Sequence, residues 1–160
     1  MTTRRKKSWT EKLADDKDLP RTFQLEGKAA GKWGTGRMLI PAPQEVDAQM
    51  KRVRKGKVVT STEIRAALQH HSAEAVDVVC PITTGIFCWI AANAAAEQQA
   101  QGRKNFTPYW RTLKVNGELN PKYPGGLDAI RDQLEAEGHQ IEIRGKRAFV
   151  KDYEKKLAAL

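Results

Sequence analysis

The chain has 160 residues, with 28 Lys and Arg against 19 Asp and Glu and a net charge of +9. That length favours one compact domain with an appended segment, and it suffices to bury a core without disulfide or metal staples. With two cysteines, no apolar stretch at the N-terminus and no long uninterrupted apolar run, neither a disulfide scaffold nor a secretory leader nor a membrane span is expected.

The charge is unevenly spread. Residues 1–57 hold fifteen Lys and Arg against seven Asp and Glu, a net of +8, whereas residues 58–160 are nearly balanced at +1. The excess sits chiefly in "RRKK" (4–7) and "KRVRKGK" (51–57). Clustering of this kind suits a polyanionic partner, with a solubilising tail as the plain alternative. Cys80 and Cys88 stand in apolar surroundings, as two buried reduced thiols of a cytoplasmic protein do. His70 and His71 lack the spacing of a ligand pair, so neither a metal site nor a small-molecule cofactor is expected.

Residues 1–40 are polar and glycine-rich and read as an irregular arm with one short helix, opened by the capping box of Ser8 and Glu11. The run "GKAAGKWGTGR" carries too many glycines for a helix interior and reads as loop, with Trp9 and Trp33 packing the arm onto the rest. Residues 41–160 read as the main domain. "PAPQEVDAQMKRV" opens on proline and spaces Val46, Met50 and Val53 as a helix does. "GKVVT" is a short strand, after which Thr60 and Glu63 form a second capping box for "STEIRAALQHH". A long helix follows, capped by Thr83 or Thr84 and closed by Gly102, with Ile86, Trp89 and Ile90 as core. "GLDAIRDQLEAEGH" is a helix with Leu127, Ile130 and Leu134 inward and a glycine stop. "IEIRGKRAFV" alternates as a basic hairpin, and "DYEKKLAAL" ends the chain as a short helix. Helix, short strand, helix, loop, helix and a late two-stranded wing point to a mainly α winged helix-turn-helix.

One stretch is distinctive. "TPYWRTLKVNGELNPKYPGG" (107–126) places Tyr109 and Trp110 between Pro108 and Arg111 and runs to Tyr123-Pro124-Gly125-Gly126, with Glu137-Gly138 beyond. With "GKVVTST" (56–62) and "TGIFCWIAAN" (84–93), these elements keep an order and spacing that resembles the DNA-binding domain of the alkylguanine-DNA alkyltransferases. The likeness covers residues 56–138 and is closest to the cysteine-less alkyltransferase-like proteins. It implies an alkyltransferase C-terminal-domain-like fold. It puts Tyr109 at the position of the family's alkyl-accepting cysteine and Trp110 at that of the histidine, while the glutamate is kept as Glu137. The family's intercalating arginine falls on Thr84 and its phosphate-turning tyrosine on Ser61, while Phe87 takes the place of a small groove-facing residue.

Alkyl transfer needs a thiolate-like nucleophile, and a phenol of pKa near 10 without a base is a poor substitute. Tryptophan only donates hydrogen bonds and cannot relay a proton. The resemblance therefore implies a protein without catalytic residues that binds duplex DNA, holds a damaged or extruded base, and leaves the remaining work to DNA-repair proteins. The base pocket is expected around Tyr109, Trp110, Tyr123 and Glu137. DNA contacts are expected from Thr60, Ser61, Thr62, Thr83, Thr84, Gly85, Arg111, Gly125 and Gly126, with Lys51, Arg52, Arg54, Lys55 and Lys57 on the phosphates. On the residues alone several alternatives stand. Tyr109 and Trp110 fill a closed pocket as packing residues, Arg111 bonds backbone carbonyls, and Arg144, Lys146 and Arg147 form a solvated hairpin tip. The protein is then an interaction module that keeps the fold without base recognition; transfer to a relocated cysteine is the third reading.

Overall fold

The computed structural model describes residues 4–160. Its first helix, α1 (Trp9–Ala14), starts where Ser8 accepts the Glu11 amide at 3.1 Å. The strand β1 (Arg21–Gln24), the helix α2 (Gly27–Trp33) and the strand β2 (Arg37–Ile40) follow. Residues 9–40 therefore hold two helices and two strands, and the expectation of an irregular arm with one short helix is corrected there. Two of the glycines lie at the helix boundaries, where Gly27 (φ +57°) and Gly34 (φ +96°) take left-handed backbone, so only Gly31 burdens the interior. That cost of about 1 kcal/mol is offset because Ala29, Ala30 and Trp33 pack on buried Leu25, Met38 and Cys80.

The helix α3 (Pro43–Lys51) has proline at its start and Glu45 accepting the Ala42 amide at 2.9 Å; it buries Val46 and Met50 completely. After β3 (Val59–Thr60), α4 (Ser61–His71) opens on the full capping box. The Thr60 hydroxyl accepts the Thr62 amide at 3.2 Å, and Glu63 accepts the Thr60 amide at 2.7 Å. The strand β4 (Val78–Val79) leads into α5 (Pro81–Ala100). This helix begins a turn earlier than Thr83 or Thr84 would allow, because Pro81 already has helical φ and needs no partner for an N–H. Thr84 instead donates its hydroxyl to the Cys80 carbonyl at 2.7 Å. The helix ends on Gly102 (φ +82°), where the Gly102 amide meets the Gln99 carbonyl and Arg103 meets Gln98, each at 3.0 Å.

A 3-10 turn (Tyr109–Arg111), β5 (Thr112–Leu113) and a second 3-10 turn (Val115–Gly117) precede α6 (Gly126–Ala136). The hairpin β6 (Ile141–Arg144) with β7 (Arg147–Val150) closes on Gly145-Lys146. Past it, the expected last helix is reduced to a 3-10 turn (Tyr153–Lys156). Its continuation is diverted, since the Lys156 carbonyl accepts the Val58 amide and Ala158 donates to the Val58 carbonyl, both at 2.9 Å.

Three small sheets tie the chain together. β1 pairs antiparallel with β2, which pairs in parallel with β4, so the N-terminal strands join the segment leading into α5. β3 and β5 pair in parallel, placing the start of α4 beside Thr112–Leu113. The main core runs between α1, α3, α4, α5 and α6 and contains Val46, Met50, Ile64, Ala91, Leu119, Ile130 and Leu134. Among the described residues no helix is long and apolar enough to cross a membrane.

Candidate nucleic-acid interface

The loop beginning at Thr107 is anchored from below, where the Thr107 hydroxyl donates to buried Asp47 at 2.5 Å. The tight turn at Tyr109–Arg111 then sends three neighbouring side chains different ways. Trp110 points inward, 9% exposed, and its indole N–H donates to Glu137 Oε1 at 3.0 Å. Arg111 also turns to Glu137, with Nη2 at 2.7 Å from Oε1 and Nε at 3.0 Å from Oε2. Its remaining Nη1 donates to the Val53 carbonyl at 2.8 Å, across 58 residues of sequence. Burial pushes the Glu137 carboxyl up, and the bonds from Arg111 and Trp110 more than reverse this, leaving it below the ordinary carboxylate range. Arg111 therefore clasps the loop to the body of the protein. Trp110 occupies a donor's place beside the glutamate.

Tyr109 is half-buried, its ring edge-on to Trp110 (centroids 5.4 Å apart) and to Tyr123 (6.0 Å). Its hydroxyl lies 3.5 Å from the Pro124 carbonyl, its only side-chain hydrogen bond among the described residues. Burial raises its pKa. A phenol without an adjacent base, with its anion disfavoured, has no means of attacking an alkyl carbon.

Beside this packed group lies a cleft of about 930 Å³. One wall is the first half of α5, with Ile82, Gly85, Ile86, Cys88 and Trp89; the other is the Thr112–Tyr123 segment, and Ser61 and Arg147 close its ends. Its apolar mouth is unusual, because Ile82 is 52% exposed, Ile86 45%, Trp89 37% and Val115 50%. These residues leave the α5 face that the sequence assigned to the core, so Ile86 and Trp89 are corrected to solvent-facing positions. Ile90 packs against the core as expected, and Phe87 packs there too. Cations ring the same opening. Arg147 grips buried Glu118 through Nε at 3.0 Å and Nη2 at 2.9 Å, Lys114 stands 3.7 Å from the same carboxylate, and Lys122 lines the rim. Arg147's bonds hold the Glu118 carboxyl below its ordinary range.

Of the residues expected at a base pocket, only Tyr123 lines this cleft; Tyr109, Trp110 and Glu137 form the packed group behind it. Of the expected DNA contacts, Ser61 and Gly85 line it. Thr84 is fully buried and Thr60 is 2% exposed, both engaged in capping bonds, so neither side chain meets a ligand. Thr62 is exposed and Thr83 partly so. Gly125 (φ +83°) and Gly126 (φ +72°) form the turn into α6. At Gly125 a β-carbon would come within 2.5 Å of that of Ala129. Lys51 pairs with Asp47 at 3.2 Å, Arg52 bonds Gln49 at 3.3 Å, and Arg54, Lys55 and Lys57 are exposed. None of these five lines the cleft among the described residues. Sequence reasoning passed over Lys114, Asn116, Asn120 and Lys122. Their signal was the basic and amide-bearing turn within "LKVNGELNPK", which does not reveal that it faces α5.

Cys88 lines the cleft floor, but burial pushes its thiol up to about 12. It is a neutral packing group at physiological pH and no thiolate acceptor. Cys80 is buried against Leu25 and Met38.

A helix pair joined through short strands, a clasped Pro-x-x-Arg loop, a Gly-Gly turn and a closing hairpin define the alkyltransferase-like fold. No protein-family model matches the chain, and no curated protein matches it. Among solved structures it is similar to S. pombe Atl1, crystallised in complex with damaged DNA containing O6-carboxymethylguanine. The superposition has a TM-score of 0.50 and 15% identity and covers 74% of this chain and 94% of that one. At that identity the likeness is one of fold.

Proposed function

We propose that this is a non-enzymatic DNA-binding protein that takes an alkylated guanine, or another extruded base, into the cleft between α5 and the Thr112–Tyr123 segment. The observation that carries the reading is the cleft itself. An exposed apolar helix face at Ile82, Ile86 and Trp89 borders a cavity of about 930 Å³ ringed by Lys114, Lys122 and Arg147. A flipped base needs apolar or aromatic walls with a few hydrogen-bonding groups, which here are Ser61, Asn116 and Asn120. Stacking on such walls is worth about 1–3 kcal/mol per base. Side chains like Ile82 and Ile86 suit the gap left in a base stack, where apolar wedges hold kinked duplexes open. The cations, with the basic loop at 51–57, serve the phosphates, and the β6–β7 hairpin acts as the wing that carries Arg147. The fold neighbour S. pombe Atl1 is known in complex with damaged DNA, which supports the same class of partner here.

A module that retains the basic surface without base recognition is favoured by one feature, the packed state of Tyr109, Trp110 and Glu137. Titration of labelled duplexes with and without O6-methylguanine, at two salt concentrations, separates the two. Tighter binding to the lesion supports the base-binding reading. Equal, steeply salt-dependent binding supports the module, and no binding at low salt refutes both.

A further inference from the structure

The N-terminal segment is fastened to the wall of the cleft. Trp9 sets its indole edge-on against that of Trp89, with ring centroids 4.8 Å apart and planes at 81°. Two turns further along α5, Glu97 accepts the backbone amides of Trp9 (3.0 Å) and Thr10 (3.2 Å) and the Thr10 hydroxyl (2.8 Å). The Thr10 hydroxyl above all holds the Glu97 carboxyl below its ordinary range. A carboxylate borrowed from a distant helix thus satisfies the free amides at the start of α1 and fixes where that helix begins.

Immediately before this anchor come Arg4, Arg5, Lys6 and Lys7, all exposed or nearly so. Five extended residues reach about 17 Å, so the four cations stand within that distance of Trp9 and of the cleft edge it touches. Arg5 pairs with Glu11 at 2.8 Å and Lys7 with Asp15 at 2.5 Å. Exposed pairs of this kind contribute little and exchange readily for other anions. The tetrad contains no apolar side chain to enter a bilayer, and Trp9, two residues beyond Lys7, touches Trp89 on the helix face that borders the cleft.

We propose that residues 4–7 are a second phosphate-binding element. Trp9 and Glu97 hold them beside the cleft, and their cations track the DNA backbone flanking the extruded base. This rests on the DNA-binding reading above. Arginine forks and lysine ammonium groups both suit phosphate oxygens, and the anchor gives the element a fixed register relative to the cleft.

The test uses the full chain and its R4A/R5A/K6A/K7A variant on a duplex containing O6-methylguanine, reading the slope of log Kobs against log salt. The variant should show a slope shallower by about 2–4 units, at about 0.9 for each phosphate it no longer neutralises, with lesion preference retained. An unchanged slope in a variant that still binds overturns the arm and leaves the DNA reading standing; failure of the wild-type chain to bind at low salt overturns both. Register is read by attaching a photocrosslinker to an R5C variant, in which Cys80 and Cys88 are buried from the reagent. Crosslinks should fall within a few nucleotides on one side of the lesion and spread when E97A is added. Equal scatter with and without E97A overturns the docking. Capture of wild-type protein by anionic vesicles that the quadruple variant loses, with an unchanged DNA slope, assigns the arm to membranes and also overturns the proposal.

Discussion

Replacing Arg111 by methionine removes the guanidinium that clasps Glu137 and leaves a carboxylate whose side chain is only 7% exposed. Three hydrogen bonds to the carboxylate and one to the Val53 carbonyl disappear, while the Trp110 indole N–H stays. Breaking a buried pair on one side costs about 3–5 kcal/mol. The remaining indole donor and the flexible methionine keep the loss near about 3 kcal/mol, at the lower end of that range. For a urea dependence of about 2 kcal/mol per molar, the unfolding midpoint falls by about 1.5 M. The sign with pH is also set. In the native protein the Glu137 carboxyl is depressed from its ordinary 4.5, so its contribution is complete above that value and lost as pH falls through the folded pKa. In the variant the unpaired, buried carboxyl rises instead, and protonation on acidification relieves the penalty. The gap between the two proteins should be largest at pH 7 and should narrow towards pH 4. Adding Glu137→Gln, which still accepts from Trp110, should recover most of the loss. Urea unfolding of the three proteins at both pH values checks this. A midpoint shift under about 0.3 M, well below the buried-pair range, or a gap that widens in acid, refutes the account of the clasp.

Trp110→Phe deletes the indole donor to Glu137 and should lower stability by about 1.5–3 kcal/mol, as hydrogen bonds to charged groups do. It should leave lesion preference intact because Trp110 lies outside the cleft, and a lost preference in duplex titration would contradict that placement. Ile86→Ser, by contrast, should weaken binding to a lesion duplex with little change in thermal stability, since the side chain is 45% exposed; equal affinity would remove it from the interface. Native protein at pH 8 should resist iodoacetamide at Cys88 and gain no mass from alkylated DNA, whereas protein in urea labels, because burial pushes this thiol to about 12. Gly117→Ala should cost about 2–4 kcal/mol, since φ is +80° and a β-carbon there would collide with the Tyr153 ring; a variant within about 0.5 kcal/mol of wild type would show that the C-terminal turn simply moves aside.

Much of the local architecture was legible in advance. Ser8 with Glu11 and Thr60 with Glu63 mark helix starts because a cap and the amide it serves lie within three residues of each other. Gly102 marks a helix end because only glycine takes left-handed backbone without cost. The glycine-rich arm and the last helix were misjudged for the opposite reason. Burial of Ala29, Ala30 and Trp33 rescues a helix that propensity disfavours, and pairing with Val58 stops one that propensity allows.

The site divides along the same line. On the sequence alone, the resemblance puts Tyr109 and Trp110 at the positions of an alkyltransferase's nucleophile and base; what the sequence by itself decides is that neither side chain can do that chemistry, because reactivity belongs to side-chain type. Which aromatics are packed and which face a ligand belongs to tertiary structure. Arg111 meets Glu137 across 26 residues, Trp9 meets Glu97 across 88, and the Lys114–Lys122 turn becomes a cleft wall only when β5 pairs with β3 and faces α5. On α5 the inward and outward stripes are equally apolar, with Phe87 and Ile90 inside and Ile86 and Trp89 outside, so helical periodicity carries no sign. The packing of α3 and α4 against one stripe decides it, while Trp9 of α1 covers part of Trp89 on the other stripe, which borders the cleft.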